Sequence, residues 1–268
     1  MGIITDLFGK AKKIVIKFGS NTLADSNGRI NNQLLEEIAE QAASLIKQGK
    51  QIVIVSSGAQ LAGLSAMDKW ERKRDIHYRQ ALCAVGQVKL MDAWERSFIP
   101  LGIHIAQLLL TRDDFADNTR KLNMRNTLFT LVDEGIVPII NENDSVSVEE
   151  IKIGDNDTLA ALSAVLWSAD LLVLFSDIDG LYDKNPKEHS DAKIIDEVWD
   201  IAEARRFADT HGNDGGAGEF GTGGIITKLD AAERCVSYGI PVILSNGGKK
   251  RSLDALASGT GLGTTFIA

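Results

Sequence analysis

Residues 13–58 read KIVIKFGSNTLADSNGRINNQLLEEIAEQAASLIKQGKQIVIVSSG. Near the two ends, Ile14-Val15-Ile16 and Ile52-Val53-Ile54-Val55 are continuous apolar runs rather than alternating ones. That pattern marks strands covered on both faces, as in a parallel sheet. Between them, Leu34, Leu35, Ile38, Ala42, Leu45 and Ile46 recur at helical spacing and fall on one face of a helix over 31–48. Asn31 or Asn32 caps its start and Gly49 closes its end. Strand, helix and strand in succession form a βαβ crossover. The pattern continues along the chain. Apolar runs at 103–110, 136–140, 171–175 and 240–244 alternate with helical patterns at 78–98, 119–134, 155–167 and 225–238. The spacing predicts an α/β fold, a three-layer αβα sandwich around a mainly parallel central sheet. It reads as one continuous domain over 1–268, with two lobes divided near residue 170.

Composition narrows the function classes. Apolar residues at 44% and charged residues at 25% exclude a disordered chain. The longest apolar runs are about eight residues, where a membrane helix needs ~20. No basic stretch followed by an apolar core opens the sequence, so no secretory signal is expected. Cys83 and Cys235 are too few for a disulfide framework and lack metal-type spacing. These features predict a soluble, cytoplasmic protein with no membrane partner. A net charge of −8 argues against a broad nucleic-acid footprint, though a few local lysines can still bind a small anion.

Ligands of open α/β sheets bind outside the carboxyl ends of the strands. Four strand exits are polar: Lys17-Phe18-Gly19-Ser20, Ser56-Ser57-Gly58-Ala59, Asn141-Glu142-Asn143-Asp144 and Ser176-Asp177-Ile178-Asp179. A lysine at a strand end is common, but Gly19 beside Lys17 lets backbone N–H groups turn toward an anion. Ser57-Gly58-Ala59 reads as a sharp turn into a helix, whose free N–H groups suit a carboxylate or phosphate. An ordinary serine cap has the same appearance. In the third cluster, asparagine gives donors to a carboxylate and Asp144 gives an acceptor to an ammonium. A plain strand-to-turn exit is the alternative. A small ligand with both charges suits the mixture, and an amino acid is the simplest example.

The glycine-crowded segment 209–224 runs into Gly221-Thr222-Gly223-Gly224-Ile225-Ile226-Thr227-Lys228 and a helix. Helical side chains lean toward the N-terminus, so the Lys228 ammonium can reach the loop mouth. The spacing is not that of a Walker A loop, and Ile226 stands where a dinucleotide fingerprint needs its third glycine. Gly154-Asp155-Asn156-Asp157 precedes another helix. It exceeds what capping requires, and Leu159 breaks an EF-hand pattern. Its carboxylate can hold two lysines in place. No histidine has triad or zinc-type spacing. Two lysines, two glycine turns and a carboxylate suit phosphoryl transfer, where catalysis is positioning plus charge neutralisation.

Taken together, these motifs resemble the amino acid kinase family, over nearly the whole chain from about residue 12 to 268. The Asn-Glu-Asn-Asp and Gly-Asp-Asn-Asp pair points within it to the branch that phosphorylates L-glutamate for proline biosynthesis. That resemblance implies ATP and L-glutamate as substrates, L-glutamyl 5-phosphate as product, and Mg²⁺ held largely through phosphate oxygens and water rather than by direct protein ligands. It implies Lys17 and Lys228 as the groups that stabilise the transferred phosphoryl, with Asp157 organising them. Ser57, Gly58, Asn141, Asp144 and Asn156 would hold glutamate. Ser176, Asp177, Thr222, Gly223, Gly224, Ile225, Ile226, Thr227 and Lys228, with Lys17, would line the nucleotide site. Feedback by L-proline near Arg120–Asn126 and a homo-oligomer, dimer or tetramer, are also implied. Many relatives carry a further C-terminal PUA module, and this sequence ends at Ala268 without one. Competing readings are a related kinase acting on N-acetylglutamate, aspartate, carbamate or a nucleoside monophosphate, and a nucleotide- or amino-acid sensor without turnover. A nicotinamide oxidoreductase ranks last, because the fingerprint fails.

Overall fold

The computed structural model describes residues 2–67, 75–147, 156–186, 188–210 and 224–268. Gly154, Asp155, Gly221, Thr222, Gly223 and most of the glycine-crowded segment lie outside the described residues.

Among the described residues, eight strands form one sheet: β1 (Lys13–Phe18), β2 (Gln51–Ser56), β3 (Ile105–Leu110), β4 (Val137–Glu142), β5 (Leu171–Ser176), β6 (Glu197–Val198), β7 (Val242–Asn246) and β8 (Thr264–Phe266). Their order is β3-β4-β2-β1-β5-β7-β8-β6. Every pairing is parallel except β7 with β8. The three-layer reading is borne out. The sheet passes without a break across residue 170, because β5 pairs directly with β1.

The central strands are buried on both faces, and period-two alternation sorts their side chains. On β1, Ile14, Ile16 and Phe18 pack into a cluster with Leu35 and Ile38 of α3 (Asn32–Lys47), Leu90 and Trp94 of α5 (Ile76–Phe98), and Leu253 and Leu256 of α11 (Ser252–Ser258). Val15 faces the other way, into a second cluster that includes Leu128 of α7 (Asn118–Asp133), Ala160 and Ala164 of α8 (Asn156–Trp167), and Leu229 and Ala232 of α10 (Ile225–Val236). Burying each such leucine or isoleucine contributes roughly 1.5–3 kcal/mol. The indole N–H of Trp94 donates to Ser56 Oγ at 2.9 Å, so the large buried ring leaves no polar atom unmatched.

Caps follow the expected chemistry. Asn31 accepts from the Leu34 N–H, Asp75 from His77 and Tyr78, and Asp117 from Arg120. One strand differs from its sequence reading. β4 runs through Asn141 and Glu142, which pair with Leu109 and Leu110 of β3, instead of ending in a turn after Ile140. Ladder hydrogen bonds to the neighbouring strand outweigh the low strand preference of these polar residues. Consequently Asn141 shares a face with Val137 and Ile139, the face that α5 covers. The sequence reading does not mark the short strands β6 and β8 or the helices α1 (Ile3–Lys10) and α9 (Ile201–Thr210), and it gives α4 (Ala59–Met67) only as the helix entered after the Ser57-Gly58-Ala59 turn. Among the described residues, no helix is long and apolar enough to cross a membrane.

Helices α4 and α5 meet backbone to backbone. A Cβ added at Gly86 would lie 1.8 Å from the Ala59 carbonyl oxygen, and one at Gly63 would lie 2.0 Å from that of Leu82. The crossing admits no methyl group, so Gly86→Ala forces the helices apart. It should destabilise the fold by about 1–3 kcal/mol. The midpoint of urea unfolding measures this, and an unchanged midpoint would show that the crossing is looser than drawn.

Candidate active site

Alternation along β1 places Lys17 on the Val15 face, toward α8 and α10. There its ammonium meets Asp157, the second residue of α8, with Nζ 2.5 Å from Oδ1. Lys228 approaches the same carboxylate from α10, with Nζ 3.1 Å from Oδ2. As the lean of helical side chains requires, its Nζ also lies 3.4 Å from the Gly224 carbonyl at the start of that helix. The Thr227 hydroxyl donates to Asp157 Oδ2 at 3.0 Å. Side-chain exposures of 8%, 1% and 4% for Lys17, Asp157 and Lys228 take the trio out of bulk water, which strengthens each interaction. Gly19 leaves room for this arrangement: a Cβ there would sit 3.3 Å from Lys17 Nζ.

Burial acting alone would push the Asp157 carboxyl up. The ammonium groups of Lys17 and then Lys228 outweigh it and hold the carboxyl well below the usual carboxylate range. The trio therefore carries one surplus positive charge in a nearly dry setting. Such a centre attracts a polyanion and favours charge that grows on a migrating phosphoryl group.

A second group lies at the carboxyl ends of β2 and β4. Gly58 holds a φ of +108°, a conformation that disfavours other residues, and α4 begins at Ala59 just after it. Asn156, the first residue of α8, donates from Nδ2 to Ser57 Oγ at 2.6 Å and to Asn141 Oδ1 at 2.9 Å. Asn141 in turn donates from Nδ2 to Gln87 Oε1 at 2.8 Å. The Asp144 carboxylate lies near the Cys83 thiol. Burial, with the Asp144 charge adding to it, pushes that thiol up and leaves it protonated. The second cysteine, Cys235, is also buried in the core, and desolvation pushes it up to about 12.

The third group lies beyond β5 and β7. Ser176 Oγ donates to Asp177 Oδ1 at 3.0 Å, and Asn21 Nδ2 reaches Asp177 Oδ2 at 3.3 Å. Asp179 accepts from Asn246 at 2.9 Å and pairs with Lys249 at 2.8 Å. Gly224 caps α10 without a side-chain hydrogen bond, so the first N–H groups of this helix have no side-chain partner at the cap. Ile225 packs against the core and Ile226 is 43% exposed.

Lys17, Asp157, Thr227 and Lys228 thus converge directly, and Ser57, Asn141 and Asn156 form one hydrogen-bonded chain. Ser176 and Asp177 stand at the end of the neighbouring strand, and Thr222 and Gly223 are outside the described residues. Sequence reading missed Gln87, Cys83 and Lys249. For Gln87 a signal existed: it sits within the buried stripe Leu82, Cys83, Gly86, Leu90 and Trp94 of α5, where an amide is out of place.

The model of the amino acid kinase family matches residues 12–246. The chain belongs to the amino acid kinase family. Within the family it is similar to a glutamate 5-kinase of Alkaliphilus metalliredigens (strain QYMF), 59% identical over 266 residues with 99% of each chain covered. It is likewise similar to a glutamate 5-kinase of Alkaliphilus oremlandii (strain OhILAs), 56% identical over 265 residues with 99% of each covered. A crystal structure of UMP kinase from Ureaplasma parvum superposes with a TM-score of 0.65 at 15% identity, over 97% of this chain and 100% of that one. At that identity the likeness speaks for the family fold alone.

Proposed function

We propose that the protein transfers the γ-phosphoryl group of ATP to the γ-carboxylate of L-glutamate, giving L-glutamyl 5-phosphate and ADP, the first step toward proline. The observation that carries this reading is the convergence of Lys17 and Lys228 on Asp157, beside Ser57 and Asn156, in a chain 59% identical to a glutamate 5-kinase.

The chemistry asks little covalent work of the protein. A carboxylate oxygen bonds to Pγ while the bond from Pγ to the bridging oxygen breaks and ADP departs. The attacking carboxyl is already ionised at neutral pH, since its ordinary value is about 4.3. No base has to remove a proton, in keeping with a site built from lysines and amides. Lys17 and Lys228 donate to phosphoryl oxygens, and Asp157 holds both ammonium groups at one point in space. Ser57, Gly58, Asn141, Asp144 and Asn156 form the acceptor side. Ser176, Asp177 and the segment Thr222 to Lys228 form the nucleotide side, with Lys17 reaching across. On this assignment the acceptor groups come from residues before about 170 and most nucleotide groups from those after it.

Among the described residues, no group of three His, Cys, Asp or Glu side chains is placed to hold a metal ion. Mg²⁺ fits such a site when it travels on the phosphate oxygens and water of the nucleotide, where it neutralises polyphosphate charge. L-Proline as feedback inhibitor near Arg120–Asn126, a homo-oligomer, and a cytoplasmic location beside free ATP and glutamate belong to the same proposal.

An acceptor panel tests it. ADP release should depend on both L-glutamate and Mg²⁺, and hydroxylamine should trap the product as a hydroxamate because acyl phosphates react with it. N-acetylglutamate should be a poor acceptor, since acetylation leaves Asp144 without its cation. Equal rates with the two compounds would overturn the glutamate assignment.

A further inference from the structure

The polarity of the amide chain beside the two lysines is fixed by one backbone group. The Glu142 N–H lies 2.9 Å from the Asn141 side chain, and a backbone N–H can only donate. The atom it meets is therefore Oδ1, and the far end of the Asn141 amide is its NH₂. That NH₂ lies 2.8 Å from Gln87, which must present its carbonyl oxygen Oε1. The second lone pair of Asn141 Oδ1 takes a donor from Asn156, so Nδ2 is the inward atom there. The other hydrogen on that nitrogen goes to Ser57 Oγ. Both N–H bonds of Asn156 are then committed, and what remains for a ligand is its Oδ1, an acceptor. Ser57, which already accepts, retains its O–H, a donor. An acceptor beside a donor is the complement of an ammonium beside a carboxylate.

Gln87 ends this chain, and stability alone gives no reason for a glutamine there. It is 8% exposed, and its Nε2 is buried without a hydrogen-bond partner among the described residues. An unmatched amide nitrogen in the core is unfavourable, and an apolar side chain of the same length would avoid it. The residue is explained by its other end, the acceptor it offers to Asn141.

We infer that Gln87 is a positioning residue that sets the selectivity of the acceptor site for a free α-amino acid, by holding the Asn141 amide in the place where the polarity set by the Glu142 N–H is passed on to Asn156 and Ser57. Without its Oε1, the Asn141 amide is held at one end only and can swing away from both the Glu142 N–H and Asn156. Asn156 is then free to turn over and direct two N–H donors at the ammonium it should accept from. This inference rests on the glutamate kinase reading above, because it concerns the same site.

Kinetics of Gln87→Met, which keeps the length and removes the acceptor, test it in the full-length protein. The KM for L-glutamate should rise about tenfold, with the KM for ATP unchanged and kcat within about threefold of the starting value. The preference in kcat/KM for L-glutamate over N-acetyl-L-glutamate should fall by about the same factor. Gln87→Glu, whose carboxyl keeps an acceptor oxygen whether or not it is ionised, should recover most of both losses. A Gln87→Met protein with the original KM and preference would overturn the inference. So would equal damage in the Met and Glu variants, or a uniform loss in kcat and in both KM values, which marks a general packing defect. Should the Met variant fail to fold, the Glu variant decides: a retained preference supports the inference and a lost one ends it. Absence of glutamate-dependent activity in the unsubstituted protein is a separate outcome, and it defeats the functional reading itself.

Discussion

Lys228→Ala should lower kcat by about 10²–10³-fold, the usual cost of removing one donor aimed at developing charge in a dry site. The effect should fall on turnover, because on the proposed assignment the lysine meets the phosphoryl oxygens most strongly while they are in transit. ATP affinity should change by only a few-fold, since Lys17 and the rest of the nucleotide side remain. The fold should survive. Asp157 keeps its ion pair with Lys17, so truncation leaves no carboxylate unpaired in the core. Lys228→Arg should restore little, because a planar guanidinium does not occupy the space of a compact ammonium held at 3.1 Å from Asp157. Steady-state kinetics with a parallel nucleotide-binding measurement separate these effects. Full turnover with normal ATP binding in the alanine variant would remove Lys228 from the mechanism.

Asp157→Asn acts on both stability and chemistry. The side chain keeps its shape, but two buried ammonium groups lose the charge that compensates them. Breaking a buried ion pair from one side costs about 3–5 kcal/mol, and this substitution breaks two at a shared atom group. Turnover should fall with it, because the lysines repel one another away from their common point. The dependence on pH follows from linkage. The folded-state carboxyl of Asp157 lies below its unfolded value of about 3.9, so its contribution is fully present above that pH and is lost as pH falls further. The stability gap between the unsubstituted protein and Asp157→Asn should therefore be constant from pH 7 to about 5 and close progressively below about pH 4. Urea unfolding across that range reads the gap directly. A gap that stays open at low pH would mean that shape, and not charge, is what asparagine fails to supply.

Parts of the site were legible because their chemistry is local. Lys17 beside Gly19, Gly58 at a helix start, and Lys228 one turn beyond Gly224 each carry a reason within a few residues of themselves. Asn141 misled for the opposite reason. Its polar neighbours suggest an exit turn, and only pairing with β3 keeps it in the strand and turns it toward α5. Cys83 carries no local signal of purpose, and the glutamine at 87, although out of place in a buried stripe, does not say what it meets. Their roles arise from Asn141 and Asp144, which the fold brings against the same face of α5.

The order of residues along the chain was enough to establish the layered α/β architecture, because apolar runs of strand length and helical stripes are periodic properties of neighbours. It also supplied the residue types that phosphoryl transfer needs. Which of those residues meet was settled by packing. Lys17 faces α8 and α10 because Val15 does, two positions earlier on a pleated strand. Asp157 unites two lysines from opposite ends of the sequence because α8 and α10 pack side by side on the same face of the sheet. The direction of the amide chain depends on a single backbone N–H, that of Glu142, whose place is fixed only when the sheet has formed. Convergence and hydrogen-bond polarity are long-range properties, and no spacing along the chain encodes them.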